Sequence, residues 1–288
     1  MKLVIEKVKH QVDTSFAVEH NYISHFVSPW HFHPETEIIL IVQGSGTLFA
    51  GDYMKPFAPG AIALIGPNLP HVWMNDKEYF KPKSKLIAES IVIKFSDIFP
   101  GKEFISLPES IRIKKLLEQS SRGIIFLNKT RKILEEKILD LSNQKDFDRI
   151  ILVMSILNLM SKSNEFIFLS SKGYNNVFND SDCERIDKVY KFVMDNYTRD
   201  ISLDEISSIA NMSPTAFCRY FKARTLKTFS EFVNEVRIGY ACKLLIEKKY
   251  SISEVSYRCG YNYLSNFFKQ FRVIMKMTPL EYQNKYWN

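Results

Sequence analysis

The chain has 288 residues, 45% of them hydrophobic and 14% aromatic, and its 39 Lys/Arg against 32 Asp/Glu give a formal net charge of +7. That length and apolar content can bury two cores, which implies a globular protein of two domains. No apolar run reaches the length of a membrane span and residues 1–7 lack the apolar core of a signal peptide, so a cytoplasmic protein with no membrane partner is expected. The four cysteines, Cys183, Cys218, Cys242 and Cys259, fall in the last third without paired metal-type spacing. They read as single buried thiols in a reducing compartment, a redox role for Cys218 being the minor alternative.

Residues 15–95 are short apolar or alternating runs, TEIILIVQG, GTLFAGD, GAIALIG and LIAESIVIKF, broken by Gly, Pro, Asn and Asp. Such runs at close spacing predict an all-β sandwich or barrel. Within it, His31 and His33 stand two apart, and on a strand they would share a face and could chelate one ion. Together with Glu37, Gly44, Pro67, Pro70 and His71 they resemble the two sequence motifs of the cupins, small jelly-roll barrels. In metal-binding cupins the matching His31, His33, Glu37 and His71 would converge on one ion, a set of imidazoles and a carboxylate that suits Zn, Fe, Ni or Mn. His10, His20 and His25 do not fit the motif. The alternative is a barrel that needs no cofactor and holds an organic effector, lined by His31, His33, Glu37, Tyr53, Trp73 and Trp30. Trp73 and Tyr53 are equally well accounted for as core.

From 108 to 161 the pattern turns helical: ESIRIKKLLEQSSRG, TRKILEEKILDLSNQ and DFDRIILVMSILNLMSKS carry apolar residues three and four apart. Residues 164–182 mix Ser, Asn, Gly and Asp around a short apolar piece and read as a linker. The expected domains are therefore 1–163, a barrel with a helical layer, and 183–288, joined by that linker.

Residues 201–282 hold one small unit written twice. Laid on the segment fifty residues later, Phe217 falls on Phe267, Phe221 on Phe271, Thr228 on Thr278, Glu231 on Glu281 and Phe232 on Tyr282. Ser202 with Glu205, and Ser251 with Glu254, are capping boxes that start a short helix in each copy. Asn211-Met212-Ser213-Pro214 in the first copy and Gly260-Tyr261-Asn262 in the second are tight turns, with Ser213 and Asn262 as expected caps of the next helix. In that helix the Phe pair, four apart, must be the buried face. The other face carries cations, and residues 213–276 hold twelve Lys/Arg against four Asp/Glu, an excess as large as that of the whole chain. A basic helix-turn-helix pair of this kind is suited to enter successive DNA major grooves. By position, Thr215, Cys218, Arg219, Leu264, Ser265, Phe268 and Lys269 are expected at base edges, and Lys222, Arg224, Lys227, Arg272 and Lys276 at phosphates.

The motifs LDEISSIANMSPTAFCRYFK and ISEVSYRCGYNYLSNFFKQFR, joined by TFSEFVNEVRIGYACKLL and followed by Met277-Thr278-Pro279 and Tyr282, resemble the AraC/XylS family of bacterial transcription regulators over about 183–286. Leu226 and Lys276 depart from the family, which usually has Gly after each recognition helix. The resemblance implies a two-domain α+β protein: an N-terminal cupin-like jelly roll with a helical layer that often forms a homodimer contact, and an all-α domain with two helix-turn-helix motifs. It implies a sequence-specific regulator that binds double-stranded DNA, answers to a small-molecule effector such as a sugar or related metabolite, and can work with RNA polymerase. The rival reading is a metal-dependent cupin enzyme, an isomerase or dioxygenase, with a helical appendage.

Overall fold

The computed structural model describes residues 15–28, 30–96, 99–174 and 180–285; residues 1–7 and His10, considered above, lie outside them. The chain divides into two compact units, Met1–Tyr53 with Phe57–Phe178, and Met54–Pro56 with Asn179–Asn288.

The first unit contains β1 (Phe16–Ile23), β2 (Thr36–Gln43), β3 (Gly46–Ala50), the two ends of β4 (Tyr53–Phe57), β5 (Ile62–Ile65), β6 (His71–Asn75) and β7 (Ala88–Phe95). There follow α1 (Lys102–Ile105), α2 (Ile111–Ser120), β8 (Ile124–Phe126), α3 (Asn128–Asp140), α4 (Asp146–Lys162) and β9 (Phe166–Phe168). One sheet runs β1-β7-β2-β5-β8-β9 and the other β4-β3-β6.

β2 shows why the sheets stack as they do. Ile38 and Leu40 point to one face, where they join Ile62, Leu64, Ile91 and Ile93 beneath Leu134 and Ile138 of α3 and Val153, Ile156 and Leu157 of α4. Ile39 and Ile41 point to the other face and pack with Leu48, Ala50, Trp73 and Val92 inside the sandwich. A strand covered on both faces reads as a continuous apolar run, as TEIILIVQ does. Gly46 belongs to the same close packing, because a Cβ there would collide with the Met74 carbonyl oxygen of β6.

The stretch read as a linker, 164–182, is partly sheet. Phe166–Phe168 is β9, antiparallel to β8 with Phe166 opposite Phe126 and Phe168 opposite Ile124. Leu169 and Ser170 beyond it are buried, and both Nε and Nη2 of Arg122 donate to the Ser170 carbonyl, at 3.0 and 2.8 Å. Three residues are too few to carry a strand period, so only pairing with β8 defines them. Residues 175–179 of the same stretch lie outside the described residues.

The second unit is helical: α5 (Asp180–Asn196), α6 (Leu203–Ile209), α7 (Pro214–Thr225), α8 (Phe229–Glu247), α9 (Ile252–Arg258), α10 (Leu264–Met275) and α11 (Pro279–Lys285). α7 and α10 start and end fifty residues apart, so the repeat seen in the sequence is a repeat of structure. Ser202 Oγ accepts from Glu205 N–H, and full capping boxes stand at Thr228/Glu231 and Ser251/Glu254. The same reciprocal bonds join Thr278 and Glu281.

The two turns differ by one residue. Asn211 (φ 53°) and Gly260 (φ 82°) take the same left-handed position, and a Cβ on Gly260 would come within 2.6 Å of the Tyr197 carbonyl oxygen. Ser213 then caps α7 through its side chain, whereas α10 is preceded by Tyr263, which makes no side-chain cap bond. The expected cap Asn262 is displaced by the extra residue and instead reaches Asp200, Nδ2 to Oδ2, at 3.5 Å.

Leu226 and Lys276, where the resemblance leads one to expect Gly, keep the left-handed geometry at φ 56° and 58°. Cys242 and Cys259 are buried, and burial pushes their thiols up to about 11 and about 12. Cys218 is exposed, against the expectation of buried thiols; the Cys183 side chain lies outside the described residues. Among the described residues no helix is long and apolar enough to cross a membrane.

Two stability measurements check this architecture. Phe267 is fully buried between Tyr261 and Phe271, so Phe267→Ala should lower the unfolding free energy by about 3–5 kcal/mol in urea titration. Lys276→Gly should raise it by about 0.5–1 kcal/mol, since glycine relieves the left-handed strain but adds freedom to the unfolded chain.

Candidate nucleic-acid interface and effector cleft

Each recognition helix is two-sided by spacing. On α7, Phe217, Phe221 and Thr225 are buried. The two phenylalanines meet Phe229 at centroid distances of 5.5 and 5.7 Å, and Phe221 meets Phe232, which stacks on Tyr190 at 4.8 Å. On α10, Phe267 and Phe271 occupy the equivalent places and pack against Ile238, Ala241 and Leu245 of α8.

The opposite faces are open. Thr215, Cys218, Arg219 and Lys222 of α7 are exposed, and so are Ser265, Phe268, Lys269 and Arg272 of α10, with Lys276 just beyond it. These match one for one at the fifty-residue offset: Thr215 with Ser265, Cys218 with Phe268, Arg219 with Lys269, Lys222 with Arg272. Leu264 is half-buried, since its spacing puts it beside Phe267 and Phe271, where it packs on the same core.

Two of the residues expected at phosphates are engaged within the unit. Arg224 lies three residues from Phe221 and seven from Phe217, so helical spacing places it on the buried flank. There its Nη2 donates to Oδ2 of the buried Asp182 at 2.8 Å, and Tyr220 donates its hydroxyl to the Asp182 carbonyl. These bonds hold α7 against α5. Lys227 Nζ donates to Glu235 Oε2 at 2.7 Å. Arg237 is internal as well, donating to the Tyr197 and Arg199 carbonyls that end the α5 segment. Counting charge along the sequence does not separate these cations from the free ones.

In the first unit, a cleft of about 140 Å3 opens inside the sandwich between the β1, β2 and β7 face and β6. Strand register decides its lining. Asn21 pairs with Ser90 and Glu37 with Lys94, so these four side chains, with Glu19, Ile39 and Val92, share the inner face. Of the residues expected around an effector, His31, Glu37 and Trp73 line the cleft. His33 is buried behind it, 2% exposed. Tyr53 packs with the sandwich core and burial pushes its phenol up to about 12, so it does not form the cleft wall. Trp30 is also core. Lys94 was not expected there; its signal is a lone cation in the apolar run AESIVIKF.

His31, His33 and His71 come together at the inner end of the cleft, each offering a ring nitrogen within 4.8 Å of the others. The segment carrying His31 and His33 is not a regular strand: a single bridge ties it down, with His31 N–H to the His71 carbonyl at 3.2 Å and the reverse bond at 2.9 Å. His33 Nδ1 faces the Glu35 carbonyl at 3.0 Å and His71 Nδ1 the Leu69 carbonyl at 2.8 Å. Since carbonyls only accept, each Nδ1 carries the proton there and each Nε2 is turned inward.

His33 Nε2 lies 3.2 Å from Glu37 Oε2, and His71 Nε2 is 3.8 Å from Glu37 Oε1, beyond hydrogen-bond reach. His71 Nε2 is buried without a hydrogen-bond partner. Burial and the neighbouring His31 depress the His71 imidazole to about 3, which keeps it neutral. Burial pushes the Glu37 carboxyl up, but the hydrogen bond with His33 and the charge of Lys94 outweigh that and hold it well below the usual carboxylate range.

Comparison with known proteins assigns this arrangement. A helix-turn-helix domain family matches 206–285, and an AraC-like ligand binding domain family matches 14–80. The chain is 30% identical over 262 residues to the probable transcriptional regulator LumQ of Photobacterium leiognathi, covering 88% of this chain and 91% of that one. The chain belongs to the AraC family of helix-turn-helix transcriptional regulators. This AraC-family protein is also 22% identical over 264 residues to the transcriptional activator RhaR of Mannheimia succiniciproducens, covering 90% of this chain and 88% of that one. Among solved structures it is similar to unsaturated fatty acid bound ToxT from Vibrio cholerae strain SCE256, at 18% identity and a TM-score of 0.38, over 94% of this chain and 95% of that one. The family consists of transcription regulators rather than enzymes, and the reading as a metal-dependent cupin enzyme falls with that assignment.

Lys222 and Arg224 separate the free cations of this AraC-family protein from the engaged ones. Lys222→Ala should reduce the slope of log affinity against log salt by about 1 on any duplex. Arg224→Ala should leave that slope unchanged and lower the unfolding free energy by about 1–3 kcal/mol, because it strips a hydrogen bond from a buried carboxylate.

Proposed function

We propose that this regulator reads two successive major-groove segments of one duplex, α7 in the first and α10 in the second, and that occupation of the sandwich cleft alters how strongly it does so. The observation that supports the DNA reading best is the one-for-one match of the free faces: Thr215, Cys218, Arg219 and Lys222 against Ser265, Phe268, Lys269 and Arg272. A helix that hides two Phe four residues apart and repeats the same open face fifty residues later is suited to the same task twice. α8, of 19 residues, spans about 28 Å at ~1.5 Å per residue, against about 34 Å between major-groove faces on one side of a duplex. The shortfall favours a modest bend in the DNA.

The chemistry of the two faces divides the reading. Arg219 and Lys269 favour guanine O6 and N7, while the exposed ring of Phe268 offers an apolar surface to a thymine methyl. Lys222, Arg272 and Lys276 sit where phosphates would position the helices without specifying sequence. In the first unit, a cleft of about 140 Å3 suits an effector smaller than the usual drug-sized ligand. DNA and effector then alter each other's affinity equally. Exposed Phe147 and Ile151 on α4 supply an apolar patch that suits a homodimer contact.

Anisotropy titrations on a set of duplexes varying one base pair at a time test the DNA reading. Arg219→Ala should cost about 1–3 kcal/mol at one base pair and relax selection there. Equal loss on cognate and random duplexes contradicts the role given to Arg219.

A further inference from the structure

We propose that the first unit carries a second ligand site, separate from the sandwich cleft, which binds an organic phosphomonoester between α2 and the turn joining α4 to β9. This site stands apart from the DNA reading above and does not depend on it.

A pocket of about 400 Å3 opens there, within the size range of small-molecule sites. Three cations line it, Arg112 and Lys115 of α2 and Lys162 at the end of α4, and no Asp or Glu among the described residues does. All three are exposed, and no ion pair joins any of them to a described carboxylate. Arg112, Lys115 and Gln119 follow one another at three and four residues and so share one stripe of α2, while Ile113 and Leu116 are buried.

Helix stability does not account for this grouping. Arg112 stands in the first turn of α2, which holds no acidic residue, and a cation there opposes the helix dipole. Arg112 and Lys115 are like charges on one face, and they repel. Only Lys162, in the last turn of α4, sits where the dipole welcomes a cation.

A phosphate dianion relieves that repulsion. It can accept the parallel N–H bonds of the guanidinium fork and the bonds of both ammonium groups, and Gln119 and Asn164 bring amide donors to the same pocket. The floor is apolar, since Leu116 and Met160 are buried and Phe166 is half-buried against the core cluster. Such a floor suits an organic group attached to the phosphate. An occupant therefore touches α2, α4 and β9 together and ties the helical layer to the sheet.

Calorimetric titration of the full chain with inorganic phosphate, adenosine monophosphate and glucose-6-phosphate tests the site. One of the organic phosphates should bind as one molecule per chain and at least about tenfold more tightly than inorganic phosphate; which one it is tells a nucleotide from a sugar phosphate. Arg112→Gln and Lys115→Gln should each weaken that binding at least about tenfold, the loss expected of a charge-assisted bond. Lys114→Gln, which removes an exposed cation of α2 outside the pocket, should change it by less than about twofold. Phe166→Ala should narrow the gap between organic and inorganic phosphate, and thermal melting confirms that each variant is folded. Absence of saturable binding by all three compounds up to about 10 mM, equal affinity for organic and inorganic phosphate, or wild-type affinity in folded Arg112→Gln and Lys115→Gln overturns the site. The same two variants should bind a promoter duplex with the wild-type salt slope; a reduced slope assigns these cations to the DNA backbone and overturns the small-ligand site.

Discussion

The DNA-binding unit depends on one packing constraint: two phenylalanines four residues apart, on each of two helices, buried in an aromatic cluster. Phe217 and Phe221 are clamped by Phe229 and Phe232, and Phe267 and Phe271 by Tyr261 and Tyr282. Once those rings are inside, helical geometry leaves no choice about what is outside. Arg219, Lys222, Lys269 and Arg272 are open because the phenylalanines are closed. α8 serves both clusters, Phe229 and Phe232 at one end and Ala241 and Leu245 at the other, so the two reading helices are fixed to one rigid element.

The sensor unit follows a similar logic in β form. β2 is covered on both sides, by helices over Ile38 and Leu40 and by the second sheet under Ile39 and Ile41. Glu37, on the same inward face as Ile39, is thus forced into the sandwich interior. A carboxylate there is tolerated only with partners, and His33 and Lys94 supply them. The polar cluster and the apolar core are two consequences of one strand register.

Where residues in sequence differ from residues in space, charge is the usual cause. Arg224 has the composition of a phosphate contact but the helical phase of a core residue, and the buried Asp182 settles the conflict. Lys227 is likewise held by Glu235. Leu226 and Lys276 show the converse, a backbone requirement met without the residue that meets it most easily. The left-handed turn is imposed by the helices on either side, each with its own cap, and a side chain with a Cβ bears the strain.

The sequence by itself determined what periodicity and local chemistry control: the doubled helical unit, its capping boxes, the buried phenylalanines and most of the open faces, the β character of the first unit, and the residues His31, His33, Glu37 and His71. These are legible because helix phase, capping and strand runs act over a few residues. Only the tertiary structure decided what depends on partners far along the chain. β9 exists because β8 pairs with it, Tyr53 is core rather than cleft, Lys94 faces Glu37 across two strands, and Arg224 turns inward to Asp182. Each is set by a contact between residues remote in sequence, and no local pattern records which remote residue will be the neighbour.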